Sequence, residues 1–474
     1  MVDSENIAAQ SLTATAEPPI DPIKDEEDRL HHDFVGRVLD AVAAGDNETA
    51  KALVEPLHPA DVADLIELAR SDEREGLVAA LADIVDADVY AELNEHVRET
   101  LLEEMEPAKL AELAGELDTD DAVALIEDLD FAEQRAVLSA MEPDDRAAVE
   151  EALSYGEETA GRLMQRDLIA VPEHWTVGAV IDYLRSSKDL ATDFWEVFVV
   201  SPDHHPVGTC KLSSILRSPR SVRISEVMTE KQTLIPVDMD QEEVALKFQK
   251  YALISAAVVD PNGRLVGMIT VDDIVHIVEE EASEDALLLS GAGDGDINEP
   301  IVDTYKDRVR WLAANLLTAL VAAAIISRFE ESIERMAVLA ALMPIVAGVG
   351  GNAGTQTLAV TVRAIATNQL TGSNHWRSVW REIRVAVMNG LTIALLIGVG
   401  VTVFLGSAGL GAVIAAAMLT NIVIAGLAGV LVPLGLERAG ADPAVASSVF
   451  VTMVTDSMGF LVFLGLATWV GLGT

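Results

Sequence analysis

One acid, Asp456, stands near the middle of the last long apolar run, Val445 to Val470. A carboxylate at that depth in a bilayer costs about 3 kcal/mol on insertion scales, so such groups face a bundle interior or a water-filled path. Ser448, Thr452, Thr455 and Gly459 recur around it at three- and four-residue spacing. That spacing gathers oxygens and a small residue on one stripe of a helix. A second constellation is Pro344-Ile-Val-Ala-Gly-Val-Gly-Gly-Asn-Ala-Gly-Thr-Gln356, in an earlier apolar run. Its glycines allow close backbone approach and can leave carbonyls facing a pore, while Asn352, Thr355 and Gln356 add uncharged oxygens. Taken singly, each admits a packing explanation: a protonated, hydrogen-bonded carboxyl, or a small-residue seam with polar glue. Taken together, beside a strongly acidic soluble half, they point to a cation path.

The donor set narrows the cation. One carboxylate with neutral oxygens is hard-ligand chemistry, and no histidine or cysteine lies in the apolar runs, which argues against zinc and copper. Mg²⁺ gives up water reluctantly and is held through one or two carboxylates with waters retained. A charged ring around a wide, hydrated site suits it. No catalytic triad or phosphate loop is visible, so no enzyme activity is expected.

Charge separates the elements that must position these residues. From residue 301 onward ten basic side chains face nine acidic ones, so nearly all of the formal charge of −45 sits on residues 1–300. Such acidity repels nucleic acid and attracts cations, and a solvated acidic surface is its other explanation. A single cysteine, Cys210, excludes a disulfide framework. Residues 1–30 are polar, with no apolar core of a signal peptide, so the soluble half is expected on the side of synthesis.

The chain reads as multi-domain. Residues 1–30 form an expected disordered acidic tail, and 31–165 an α-helical N domain, because apolar residues recur at helical spacing. Leu57-His-Pro-Ala-Asp-Val-Ala-Asp-Leu-Ile66 is echoed by Met105-Glu-Pro-Ala-Lys-Leu-Ala-Glu-Leu-Ala114, and Met141-Glu-Pro-Asp-Asp145 restarts the phrase. Proline at a first helical position marks each start, and repeated helical hairpins predict a small superhelix. A second repeat follows: Leu168-Ile-Ala-Val171 and Leu234-Ile-Pro-Val237 each open a helix, a strand, a turn and a strand. Asp260-Pro-Asn-Gly263 is a strong hairpin turn. Residues 272–306 read as a very acidic amphipathic helix and its linker. Residues 307–474 hold five apolar runs near 310–327, 336–366, 385–405, 412–436 and 445–471. The first run is short, and the second is expected to be broken at Pro344 and its glycines. Basic residues before the first run and between the second and third place the N-terminus in the cytoplasm and the C-terminus outside.

The duplicated segment resembles a tandem CBS pair, an α/β fold, with copies at 166–231 and 232–271; Gly267-Met-Ile-Thr-Val-Asp-Asp273 carries the resemblance. It implies an adenine nucleotide such as ATP at Thr270 and Asp273, as a modulator. In the first copy Ser214 replaces the matching aspartate. The whole arrangement resembles the MgtE family of magnesium channels, on Arg308-Val-Arg-Trp311, Gly350-Gly-Asn-Ala-Gly-Thr-Gln356 and Val454-Thr-Asp-Ser-Met-Gly459. That resemblance implies a homodimer in the bacterial inner membrane, an all-α membrane domain of five helices and an acidic plug helix. It implies that Asp456 of each subunit binds hydrated Mg²⁺, with Asn352 and Thr355 along the same pathway. Ser448 stands where some members have asparagine. It further implies regulatory Mg²⁺ on Asp120, Asp121, Asp240, Asp273, Glu281, Glu284 and Asp285. Ala252 and His276 replace acids there. The expected function is Mg²⁺ uptake, shut by cytosolic Mg²⁺. The alternatives are a cation/proton-coupled divalent carrier, or a membrane-anchored CBS nucleotide sensor.

Overall fold

The computed structural model describes residues 23–471 except 26–27, 104, 128, 188–189, 191–193, 292–294, 296, 371–373 and 446; the side chain of Asp285 also lies outside the described residues. The chain divides into two compact units, Met1–Met239 with Ser255–Ile269, and Asp240–Ile254 with Thr270–Thr474.

The first unit opens earlier than the expected tail boundary. Lys24 and Leu30 pair in a short antiparallel bridge, Leu30 is buried, and Lys24 Nζ lies 2.9 Å from Asp61. An apolar side chain with a core to join orders the residues before it. Residues 1–22 of the tail lie outside the described residues. Ten short helices follow, α1 (His32–Ala43) through α10 (Pro143–Ala152). The repeated phrase becomes α3 (Pro59–Leu68) and α7 (Pro107–Ala114), each with proline in the first turn. Equivalent positions are buried in the two copies: Val62, Leu65 and Ile66 in α3, and Leu110, Leu113 and Ala114 in α7. The carbonyls at the end of α3 are satisfied by buried Arg74, whose Nε donates to Ile66 O at 3.2 Å and Ala69 O at 3.1 Å.

Both copies of the second repeat form the expected order. In the first, β1 (Ala170–Pro172) pairs parallel with β2 (Glu196–Val200), which pairs antiparallel with β3 (Pro206–Lys211). Helix α11 (Val177–Ser186) connects β1 to β2, and α12 (Leu212–Arg217) follows β3. The second sheet has the order β4 (Leu234–Pro236), β5 (Ser255–Val259), β6 (Leu265–Thr270). The Asp260 turn closes as its sequence demands. Asp260 Oδ1 accepts from Asn262 N and Arg264 N, both at 2.8 Å, and Gly263 takes φ +78°. These backbone donors hold the Asp260 carboxyl below the usual carboxylate range. Phe198, Val200, Ala257, Leu265 and Met268 form one shared core.

The two copies exchange flanking segments. Gln165 bridges Met268 of β6, while Thr229 bridges Thr209 of β3. The glycines opposite them explain the fit: a Cβ on Gly267 would lie 2.6 Å from Met164 Sδ, and one on Gly208 would lie 2.8 Å from Met228 Sδ. Thus the segment preceding the first copy completes the second. Cys210 is buried in the first copy's core, and burial pushes its thiol up to about 11.

The second unit contains α13 (Gln241–Tyr251), α14 (Val271–Ser290) and the apolar helices. The latter are α15 (Ile301–Ile326), the short α16 (Glu330–Arg335), α17 (Val338–Ala366), α18 (His375–Leu405), α19 (Ala408–Arg438) and α20 (Ser447–Trp469). Among the described residues five helical spans are long and apolar enough to cross a membrane. The first apolar run is part of a longer helix, since α15 runs 26 residues with charged turns from Ile301 leading into it. One sequence expectation needs correction. The second run is not broken: α17 runs 29 residues with Pro344 inside. A proline removes one ladder bond, here to the carbonyl four residues back, and packing of the following glycines keeps the helix continuous. Helix α19 is central, with 61% of its apolar window buried against 6% for the first span. The uncharged connection before it shrinks to Gly406 and Ser407: Gly406 takes φ +66° and the Ser407 hydroxyl accepts from Leu410 N.

Candidate functional site

Three helices meet around the depth of Asp456, and glycines let them. Asp456 is the tenth residue of the 23 in α20, and it is half-buried. Its neighbour Thr455 is wholly buried, and the Thr455 hydroxyl donates to Thr452 O at 3.0 Å. Across from it on α17, a Cβ on Gly354 would lie 2.7 Å from Val451 Cγ1 and 3.3 Å from Thr455 Cγ2. One turn earlier, Gly350 and Gly459 enclose the Asn421 side chain of α19. Gly350 and Gly354 are therefore a packing surface toward α19 and α20, while a Cβ on Gly348 or Gly351 would meet nothing within 4 Å.

That arrangement sends the polar residues of α17 outward. Gly350, Gly354 and Leu358 are buried, whereas Asn352, Thr355 and Gln356 are exposed in the single chain. The Thr355 hydroxyl donates to its own helix, at 3.2 Å to Gly351 O and 3.1 Å to Asn352 O. Gln356 borders a cavity of about 200 Å³ shared with Thr357, Arg381, Glu382 and Asn389. Arg381 and Glu382 pair there at 2.7 Å, and the Glu382 side chain is only 12% exposed. Within one chain no described hydrogen bond or ion pair joins Asp456 to Asn352, Thr355, Gln356 or Ser448. Ser448 is half-buried and is the second residue of α20. Among the described residues no three His, Cys, Asp or Glu side chains cluster to hold a metal. A cation at Asp456 must therefore complete its shell with water and neutral oxygens, or with a second copy of the site.

Sequence reasoning missed Asn421, Glu382 and Asn389. Asn421 lies in the apolar run read as 412–436 and was detectable there as its one amide. Glu382 and Asn389 were detectable as polar residues at seven-residue spacing, hence on one helix face.

The expected sensing acids fall into both units. In the first unit, Asp120 and Asp121 lie in the first turn of α8 (Thr119–Ile126), Asp120 half-buried and Asp121 exposed. In the second unit, Asp240 caps α13, its carboxylate accepting from Glu242 N at 3.0 Å. The next residue, Gln241, donates to Glu281 of α14 at 2.7 Å, so Asp240 and Glu281 are brought to one neighbourhood. Asp273 accepts from the Thr270 hydroxyl at 2.8 Å and from Thr270 N at 3.3 Å, forming a capping box at the start of α14. The two expected nucleotide contacts thus hold each other. Glu284 and His276 are exposed on α14. Ala252 is the left-handed cap of α13, at φ +49°. Asp285 lies outside the described residues as a side chain.

Comparison with known proteins follows the same division. Residues 343–466 match the family profile MgtE, a divalent cation transporter; residues 57–158 match the MgtE intracellular N domain; residues 224–280 match the CBS domain. The chain is 32% identical over 261 residues to an Enterococcus faecalis protein named magnesium transporter MgtE, covering 55% of this chain and 58% of that protein. It is 28% identical over 314 residues to a Bacillus subtilis protein of the same name, covering 66% of this chain and 69% of that one. The match to the first of these thus spans less than two thirds of its length. A solved structure described as the cytosolic domain of the Mg²⁺ channel MgtE in complex with ATP is 29% identical, with a TM-score of 0.47, over 51% of this chain and 99% of that chain.

Proposed function

We propose that the chain, whose residues 343–466 and 57–158 match the MgtE divalent cation transporter and MgtE N-domain profiles, is a homodimeric Mg²⁺ channel of the bacterial inner membrane, closed by cytosolic Mg²⁺. The observation that carries this reading is the exposed polar face of α17, with Asn352, Thr355 and Gln356 uncovered at membrane depth. Amides and hydroxyls left toward hydrocarbon are costly, so that face needs water or a second subunit. Two copies meeting there would set two Asp456 carboxylates around one hydrated path, with Ser448 nearer one end. Two positive charges crossing 100 mV gain about 4.6 kcal/mol, so inward flow needs no coupled reaction.

Closure follows from charge. The acids Asp120, Asp121, Asp240, Asp273, Glu281, Glu284 and Asp285 repel one another when cytosolic Mg²⁺ is low. Bound Mg²⁺ offsets that repulsion, favours a compact arrangement, and so biases α14 toward the closed channel; affinity and gating are then reciprocally linked. With Ala252 and His276 in place of acids, fewer regulatory sites are expected than where both are carboxylates. An adenine nucleotide acting as modulator would meet Thr270 and Asp273 at the start of α14, where a helix N-terminus favours phosphate.

The test of transport is growth. The full chain should restore a magnesium-auxotrophic bacterium in low-Mg²⁺ medium, with uptake currents insensitive to a pH gradient. Failure to restore growth, with the protein present in the membrane, would sink the channel reading; pH-coupled uptake would favour a proton-coupled carrier.

The sensing acids predict a second outcome, specific to the ion. Millimolar Mg²⁺ should protect the segment around Glu281 and Glu284 from protease in the full-length protein. NaCl of equal ionic strength should not, although it screens charges beyond about 8 Å. Equal protection by both salts would reduce the acidity to a solvated surface.

A further inference from the structure

Asn421 is wholly buried in the middle of α19. Its Nδ2 donates to Val346 O of α17 at 3.0 Å. Its Oδ1 has no hydrogen-bond partner among the described residues. A buried, half-satisfied amide is destabilising, and replacing it by an apolar group of the same shape would remove that penalty. The structure instead makes room for it twice. A Cβ on Gly350 of α17 would lie 3.0 Å from Asn421 Cγ; one on Gly459 of α20 would lie 2.7 Å from Asn421 Nδ2 and 3.2 Å from Oδ1. The amide therefore occupies the crossing of α17 and α20. Gly459 follows Asp456 by three residues, which puts that crossing one helical turn from the carboxylate.

We propose that Asn421 is a positioning residue for ion selection: its amide fixes the spacing of α17 and α20 at the depth of Asp456, and through it the width of the hydrated site. This rests on the channel reading above. Pro344 leaves α17 without the ladder bond to Ala340 O, one turn back. The donor from Asn421 ties the turn that follows the proline to the central helix. Spacing matters because Mg²⁺ binds with its waters in a near-ideal octahedron, whereas Ca²⁺ accepts longer bonds and more ligands. A site allowed to relax by a fraction of an ångström loses its preference for the smaller, hydrated ion before it loses conduction.

The test is divalent inflow into proteoliposomes holding the full chain, read as the Mg²⁺ to Ca²⁺ flux ratio. Asn421→Ala should keep the protein dimeric and conducting while the ratio falls about fivefold or more, the size of one coupled contact. Gly459→Ala adds one methyl against the same amide and should reproduce that fall. The double variant should be no worse than either single one, because both break one contact. If Asn421→Ala fails to accumulate, Gly459→Ala carries the ratio measurement alone. An unchanged ratio in the accumulating variants, or effects that simply add, would overturn the proposal. Absence of any divalent inflow through the unaltered protein would overturn the channel reading instead.

Discussion

Asp456→Ala should reduce Mg²⁺ inflow about 100-fold or more while leaving a folded dimer in the membrane. The size follows from losing two charge-assisted contacts, one per subunit of the proposed dimer, each worth about 1.5–3 kcal/mol. Among the described residues no group of three His, Cys, Asp or Glu side chains stands ready to hold the ion in its place. The substitution also leaves the helix crossing intact, because the contacts with α17 and α19 belong to Val451, Thr455 and Gly459. Asp456→Asn keeps an oxygen and loses the charge, so a weak and less selective inflow should survive. Flux in proteoliposomes, alongside growth rescue, measures both. Near-normal rescue by the alanine variant would remove Asp456 from the pathway and return it to a packing role.

Removing the helical N-terminal part should free the proposed channel from closure by its own ion. With residues 1–158 deleted, Mg²⁺ inflow should persist, and the internal Mg²⁺ needed for half-closure should rise about tenfold, within the usual range of coupling between sites. The structure places the cut. Residues 160–165 belong physically to the second CBS copy: Ala160 N and Gly161 N donate to Met239 O and Val237 O at 2.7 and 2.8 Å, and Gln165 pairs with Met268. A deletion running through 165 would strip these bonds and lay bare the site opposite Gly267. It should therefore lower the thermal stability of the CBS pair as well as its response to Mg²⁺. Loss of all inflow from the shorter deletion, with dimer preserved, would mean that the N-terminal part is needed to conduct.

Much of this protein follows from local pattern. Proline-led helical phrases buried the same positions in both copies, because a repeated spacing of apolar residues repeats a core face. The duplicated strand–turn–strand segments paired as their β-branched runs and the Asp260 turn require. Apolar length alone marked five spans. Those features depend on residues close in the chain, where period and turn chemistry decide the outcome.

What the sequence could not decide are the relations between distant segments. Nothing local says that Met164 and Gln165 should complete the second copy rather than the first; only the fit of Met164 against Gly267 does. Pro344 and the glycines read as a break because a peptide there would break. In the folded chain α19 and α20 pack against Gly350 and Gly354, and Asn421 donates to Val346 O, two residues past the proline. The same packing leaves Asn352, Thr355 and Gln356 exposed within one chain. Their types and depth were legible in the sequence. Their direction was set by which face of α17 the glycines gave to its neighbours, and a helix face is chosen only by what packs against it.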